Sequence, residues 1–120
     1  MKFIKRTILI AISFFAIQSS FAQTNNTDSI TVNGNCGMCK KTIEKSAIAA
    51  GATTANWDKK TKVLVVSYDP SKSNTPAIEK AIAGAGYDTQ NMKADDTAYK
   101  NLEGCCQYDR KELSAPKKSN

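Results

Sequence analysis

Apolar residues in the middle of this chain recur at two different spacings, and each change of spacing marks an element. From Ser29 onward Ile30 and Val32 alternate with Thr31 and Asn33, the period of a half-buried strand, until Gly34 and Asn35 break it. Beyond Gly37, Ile43, Ala47 and Ala50 recur at intervals of four and three while Lys40, Lys41, Glu44 and Lys45 fill the other side. That spacing predicts an amphipathic helix, ended by Gly51. A weakly patterned strand follows over residues 53–57, then a hairpin connection through Asp58, Lys59, Lys60 and Thr61. Residues 62–68 are the clearest strand, with Val63, Leu64, Val65 and Val66 in a row, and Asp69 and Pro70 close it. A second helix is signposted by Thr75 as its cap, Pro76 at the first helical position and Glu79 near the positive end of its dipole. Its Ile78, Ala81, Ile82 and Ala85 form one apolar stripe, Gly86 stops it, and residues 87–92 predict a short last strand.

The order strand, helix, strand, strand, helix, strand is the split βαβ arrangement of a ferredoxin-like domain. The fold class expected is α+β, a βαββαβ two-layer sandwich over residues 29–92 with both helices on one face. Residues 93–108 exceed that unit and predict a short helical extension. Asp95 and Asp96 start its helix, Ala98, Tyr99 and Leu102 face inward, and Gly104 ends it just before Cys105 and Cys106. Residues 23–28 are expected to be flexible and residues 109–120, mostly polar, to be a disordered tail.

The N-terminal pattern changes the address. Lys2, Lys5 and Arg6 precede an almost wholly apolar run over residues 7–17, and Ser20, Phe21 and Ala22 place small residues at the positions a signal peptidase reads. Residues 1–22 therefore read as a secretory signal peptide with cleavage after Ala22. The apolar run is about half of the roughly 20 residues a membrane span needs, so no stable membrane anchor is expected after cleavage, and the location expected is periplasmic or secreted. Removing those three cations from the chain's 17 basic residues leaves 14 against 11 acidic, a net charge of +3. With no dense basic run interleaved with aromatics, nucleic acid is not expected as a partner.

The chain has four cysteines and no histidine. In a small exported protein four cysteines first suggest a disulfide scaffold with three possible pairings. Their placement is lopsided, however, with Cys36 and Cys39 in one cluster and Cys105 and Cys106 in another. Lacking histidine, the chain has no usual base for a cysteine nucleophile, so an enzyme is not expected. Val32-Asn33-Gly34-Asn35-Cys36-Gly37-Met38-Cys39, the turn at Tyr68-Asp69-Pro70, and residues 75–87 from Thr75-Pro76 through Ala85-Gly86-Tyr87 together resemble a heavy-metal-associated domain. That family includes copper chaperones, modules of metal-exporting P-type ATPases and the periplasmic mercury-binding protein. Where the family often has Gly-Met-Thr-Cys, this chain has Gly34-Asn35-Cys36, one residue shorter, with Met38 between the cysteines instead.

Thiolates are soft ligands, and two of them suffice for Cu(I) or Hg(II), whereas structural Zn(II) usually takes four. Cys36 and Cys39 are the expected ligands, with Cu(I) the leading ion and Hg(II) or Zn(II) the alternatives. The start of the first helix, helped by Lys40 and Lys41, should favour the deprotonated sulfurs, and Gly37 should let the backbone bend between them. Two readings stand for Met38, a soft thioether near the metal or a core residue under the loop, and the adaptability of methionine favours the core. By resemblance Tyr87 bonds or shields a sulfur; otherwise it is a half-buried aromatic. Trp57 and Tyr68 read as structural, and Lys40, Lys41 and Lys45 as a solvated helix face or a docking face for an acidic partner. The last strand should run about 20 Å away from the cysteine loop and residues 93–104 a similar distance back, so Cys105 or Cys106 can return as further ligands. Disulfides, a separate relay site and plain exposure stay open for that pair.

The function implied is that of a non-enzymatic, copper chaperone-like protein that sequesters or transfers Cu(I). Its partner would be a metal-transport or metal-accepting protein with exposed thiols. A periplasmic mercury-binding protein is the nearest alternative, followed by a thiol-disulfide oxidoreductase, whose Cys-x-x-Cys also sits at a helix start.

Overall fold

Strand alternation decides which side of the sheet carries the core. A computed structural model of the protein describes residues 24–116. The signal-peptide expectation, residues 1–22, lies outside them. Three strands form one antiparallel sheet, β1 (Asn26–Thr31), β2 (Ala52–Trp57) and β3 (Val63–Tyr68), with β3 in the middle. Within β3, Leu64, Val66 and Tyr68 are buried while Val65 is exposed, the two-residue period of a sheet with one face on the core. The register sets Ile30 and Trp57 on either side of Leu64, so three large apolar residues line up across the sheet. Burying each contributes about 1.5–3 kcal/mol.

Two helices close that face. Helix α1 (Gly37–Ala49) buries Cys39, Ile43 and Ala47, and α2 (Thr75–Gly84) buries Ile78 and Ile82, all in one hydrophobic cluster with the sheet. Helix α1 ends where Gly51 takes a φ of +107°, as its glycine predicted. The cap of α2 is Asn74 rather than Thr75: the Asn74 side chain accepts from the Ala77 amide at 2.8 Å. The Thr75 hydroxyl instead donates to Asp28 at 2.8 Å, as does the Tyr68 hydroxyl at 2.9 Å. These bonds hold residues 26–28 in β1, so the strand begins three residues before Ser29, inside the stretch expected to be flexible. Glu79 is buried rather than resting at the helix surface, accepting from the Thr89 hydroxyl and from Asn91 at 2.9 Å.

The expected last strand is reduced to a single bridge between Val32 and Thr89. Asn33 donates to the Asp88 carbonyl at 2.9 Å and Gln90 to that of Thr31 at 3.0 Å, but the Thr89 amide turns to Met92 at 2.7 Å and the chain leaves the edge. Polar side chains explain the break: Asp88 bonds to Arg110 and the Ala94 amide, Thr89 bonds to Glu79, and the Gln90 side chain itself takes the Thr31 amide at the edge of β1 at 2.9 Å. Helix α3 (Asp96–Lys100) and a 3₁₀ turn (Gly104–Cys106) then bring the chain back to the start of α1. Tyr99 and Leu102 pack against the core as expected. No helix among the described residues is long and apolar enough to cross a membrane.

The segment after Tyr108, expected to be disordered, is tied down as far as Glu112. Arg110 grips the buried Asp88 through two bonds of 2.7 and 2.9 Å and reaches Asp96 at 2.6 Å and the Ala94 carbonyl at 2.7 Å. Asn33 donates to the Lys111 carbonyl at 3.2 Å, and Lys93 pairs with Glu112 at 3.0 Å. Burial alone would raise the Asp88 carboxyl, but the bonds from Arg110 and from the Ala94 amide hold it below its ordinary 3.8. This contribution to stability is therefore present above pH 3.8 and lost as pH falls through the lowered value. Arg110→Ala should cost about 1.5–3 kcal/mol by stranding a buried carboxylate. It should also speed alkylation of Cys106, and a denaturant titration with mass-spectrometric thiol mapping checks both.

Candidate metal centre

The first cysteine stands at the seam between loop and helix. Cys36 is the N-cap of α1 in extended conformation (φ −145°, ψ 178°), and Cys39, in the first helical turn, is fully buried. A helix start leaves backbone N–H groups without helical partners, and here they face a sulfur instead of an oxygen cap. Cys106 arrives from the 3₁₀ turn and is also buried, while Cys105 beside it is exposed. Cys36 Sγ lies 3.5 Å from Cys39 Sγ and 3.6 Å from Cys106 Sγ. All three sulfurs are within 4.8 Å of one another.

Electrostatics separates these thiols. The Cys39 backbone amide lowers the Cys36 thiol from 9.0 to about 6, against some desolvation and with help from Cys39 and Cys106 thiols and the Met38 amide. Desolvation pushes the Cys106 thiol well above its ordinary value, as do bonds it makes to the sulfurs of Cys39 and Cys36. Tyr87 is raised too, first by burial and then by bonding to the sulfurs of Cys39 and Cys106. In the metal-free protein, alkylation of Cys36 should rise with a midpoint near pH 6, while Cys106 stays unreactive throughout; rates measured from pH 4 to about 9 by peptide mapping decide this. The stability Cys36 contributes is full above pH 9.0 and lost as pH falls through about 6. Cys106 carries the opposite sign, its contribution being full below pH 9.0 and lost as pH rises further.

The surroundings revise several expectations. Met38 is 52% exposed, so it is no core residue; its Sδ stands 3.7 Å from Cys105 Sγ. Gly37 sits at the first helical position without a positive φ, and a Cβ there would meet nothing, so no sharp bend requires it. Gly34 is the glycine the loop needs, because a Cβ would lie 2.9 Å from the Trp57 ring and 3.3 Å from Cys39 Cβ. Lys40 does not face the sulfurs; its ammonium binds Glu44 at 2.6 Å, Asn56 at 2.7 Å and the Trp57 carbonyl at 3.0 Å. Lys62 instead anchors the loop by donating to the Gly34 carbonyl, with its ammonium 5.5 Å from the centre of the Trp57 ring. Tyr87 is buried and stacked on Tyr108 at 5.8 Å, and the Tyr108 hydroxyl donates to the Gly86 carbonyl at 2.8 Å.

Sequence reasoning missed Lys62, Tyr108 and Arg110 as supports of this region. Arg110 had one available signal, being the only arginine after residue 6. No local pattern marks Lys62, whose φ of 63° appears only in the folded hairpin.

An α+β domain that gathers thiols where its first strand passes into its first helix is a soft-metal-binding module. Residues 29–88 match the sequence profile of the heavy-metal-associated domain, and the chain belongs to that family. Over 54 residues it is 39% identical to the mercuric transport protein periplasmic component of Shewanella putrefaciens, covering 44% of this chain and 59% of that relative. The chain thus spans less than two thirds of that relative's length. Among solved structures, the CopZ metallochaperone is 30% identical with a TM-score of 0.51, covering 53% of this chain and 98% of its own. Oxidized MerP from Ralstonia metallidurans is 28% identical with a TM-score of 0.52, covering 55% and 94% respectively. The family match ends at residue 88, so Cys105 and Cys106 lie beyond it.

Proposed function

We propose that this protein is an exported carrier of Cu(I), which it binds through Cys36, Cys39 and Cys106 and passes to a thiol-bearing acceptor. The approach of three sulfurs to within 4.8 Å carries this reading. At a metal–sulfur length of about 2.3 Å, a linear two-sulfur ion needs sulfurs about 4.6 Å apart, a trigonal one about 4.0 Å and a tetrahedral one about 3.8 Å. The observed 3.5 and 3.6 Å favour the higher coordination numbers. Soft thiolates select Cu(I) over harder ions.

Transfer proceeds by ligand exchange. An acceptor thiolate bonds to the ion from the solvent side, Cys36 leaves first as the partly exposed ligand, and the buried Cys39 and Cys106 release last. The ion keeps its charge throughout, and no oxidant enters. Residues 29–92 serve as the metal-binding domain and residues 93–108, held by the Arg110 anchor, deliver the third sulfur. Export is supported by the charged, apolar and small-residue pattern of residues 1–22 and by the periplasmic name of the Shewanella relative. A mercury carrier is the second reading, favoured by the same relative's name.

Anaerobic competition titrations of residues 23–120 with Cu(I), Hg(II) and Zn(II) test the assignment. Cu(I) should bind far more tightly than Zn(II), and Cys106→Ser should weaken Cu(I) roughly 10²- to 10³-fold, the loss of one ligand worth about 2.5–4 kcal/mol, with two sulfurs left to hold the ion. Tighter Zn(II) than Cu(I) binding, or an unchanged sulfur count around copper in Cys106→Ser by X-ray absorption, would overturn it. Mercury bound in preference to copper at equal thiol competition selects the second reading.

A further inference from the structure

Two further sulfurs, those of Cys105 and Met38, stand beside the three-thiol cluster, both on exposed side chains. Cys105 Sγ is 4.0 Å from Cys36 Sγ, 3.9 Å from Cys106 Sγ and 3.7 Å from Met38 Sδ. Cys105 is exposed and Met38 is 52% exposed, so neither side chain is explained by packing in the core. We propose that Cys36, Cys105 and Met38 form a second, outer Cu(I) site, with Cys36 bridging two ions in one chain. The proposal rests on the reading of Cys36, Cys39 and Cys106 as the inner soft-metal site.

Geometry and charge both point this way. One tetrahedral ion takes at most four sulfurs, and five converge here. The separations of 3.7 and 4.0 Å match the edges of tetrahedral and trigonal sites, about 3.8 and 4.0 Å at a metal–sulfur length of about 2.3 Å. Three thiolates around one monovalent ion leave two negative charges in a largely buried site. A second cation bonded to the shared sulfur offsets that excess from the exposed side. A thioether beside thiolates is a donor set that selects Cu(I) among available metals. The outer ion is also the one an acceptor meets first.

Native mass spectrometry of the reduced chain with one to three equivalents of Cu(I) tests this, beside Cys105→Ala and Met38→Leu. Wild type should reach two ions per monomer and show a short copper–copper distance by X-ray absorption only beyond one equivalent. Cys105→Ala should stop at one ion, and Met38→Leu should weaken the second ion roughly tenfold. A wild type that binds one ion tightly and no second overturns the outer site while leaving the inner one standing. So does a Cys105→Ala chain that still takes two, or a second ion found only in dimers. No Cu(I) uptake at all by wild type overturns both readings.

Discussion

Replacing Cys36 and Cys39 together by serine should abolish tight Cu(I) binding. Structural metal sites in small domains bind with about 10–16 kcal/mol, or about 2.5–4 kcal/mol for each of four ligands. Losing two of the three inner thiols therefore removes about 5–8 kcal/mol, a drop in affinity of roughly 10⁴- to 10⁶-fold. Cys106 and Cys105, 3.9 Å apart, do not compensate, because desolvation disfavours the Cys106 thiolate and Cys105 is exposed to solvent. Chelator competition measures the loss, with a thermal melt of the variant to show that the domain is still folded. A double variant that kept its Cu(I) affinity would remove Cys36 and Cys39 from the site.

The largest expected effect on stability comes from Trp57→Ala. Trp57 is 1% exposed, its ring lies under Gly34, and its indole N–H donates to the Val32 carbonyl at 3.0 Å. Truncating a buried tryptophan costs about 3–5 kcal/mol, and the stranded carbonyl adds about 1 kcal/mol. Against a typical total of about 5–15 kcal/mol, that removes roughly a third or more of the stability of the metal-free variant and should lower its urea midpoint steeply. Saturating Cu(I) should restore part of the loss, about 2.7 kcal/mol at a hundredfold excess over the dissociation constant, because only the folded state holds the ion. Urea titrations with and without metal check this. A loss below about 1 kcal/mol would mean that Trp57 is not the floor of the loop.

The core elements were legible because their signals are local. Leu64, Val66 and Tyr68 alternate in β3 and Ile43 and Ala47 share one face of α1, patterns that survive folding because one face of each element meets the core. Gly51 and Gly86 both adopt a φ of +107°, which few other residues tolerate, and so mark their helix ends from sequence. Other features depend on partners distant in the chain. Thr75 is an acceptable cap by type, yet Asp28, 47 residues earlier, takes its hydroxyl and leaves the cap to Asn74. The last strand fails because Asp88 and Thr89 answer Arg110 and Glu79 rather than a neighbouring strand. Cys36 and Cys39 stood out by their spacing, and simple lengths allowed Cys105 or Cys106 to return as one of several possibilities; the fold brings Cys106 to within 4.8 Å of both. The roles expected for Gly37 and Lys40 shifted to Gly34 and Lys62, because contact with the Trp57 ring and the reach of a side chain across a hairpin leave no periodic trace.

The separation of Cys36 and Cys106 along the chain has a consequence beyond ligation. The two sulfurs lie 3.6 Å apart but 70 positions apart in sequence. An ion bonded to both is a cross-link spanning nearly the whole domain, and closing a loop of that length in the unfolded chain corresponds to about 4 kcal/mol in the chain-entropy description. Such an ion would act as a reversible staple. A protein loaded in this way should resist proteolysis and thermal opening, and on release of the ion its C-terminal segment would be held only by the contacts of Arg110, Asn33, Lys93 and the tyrosines.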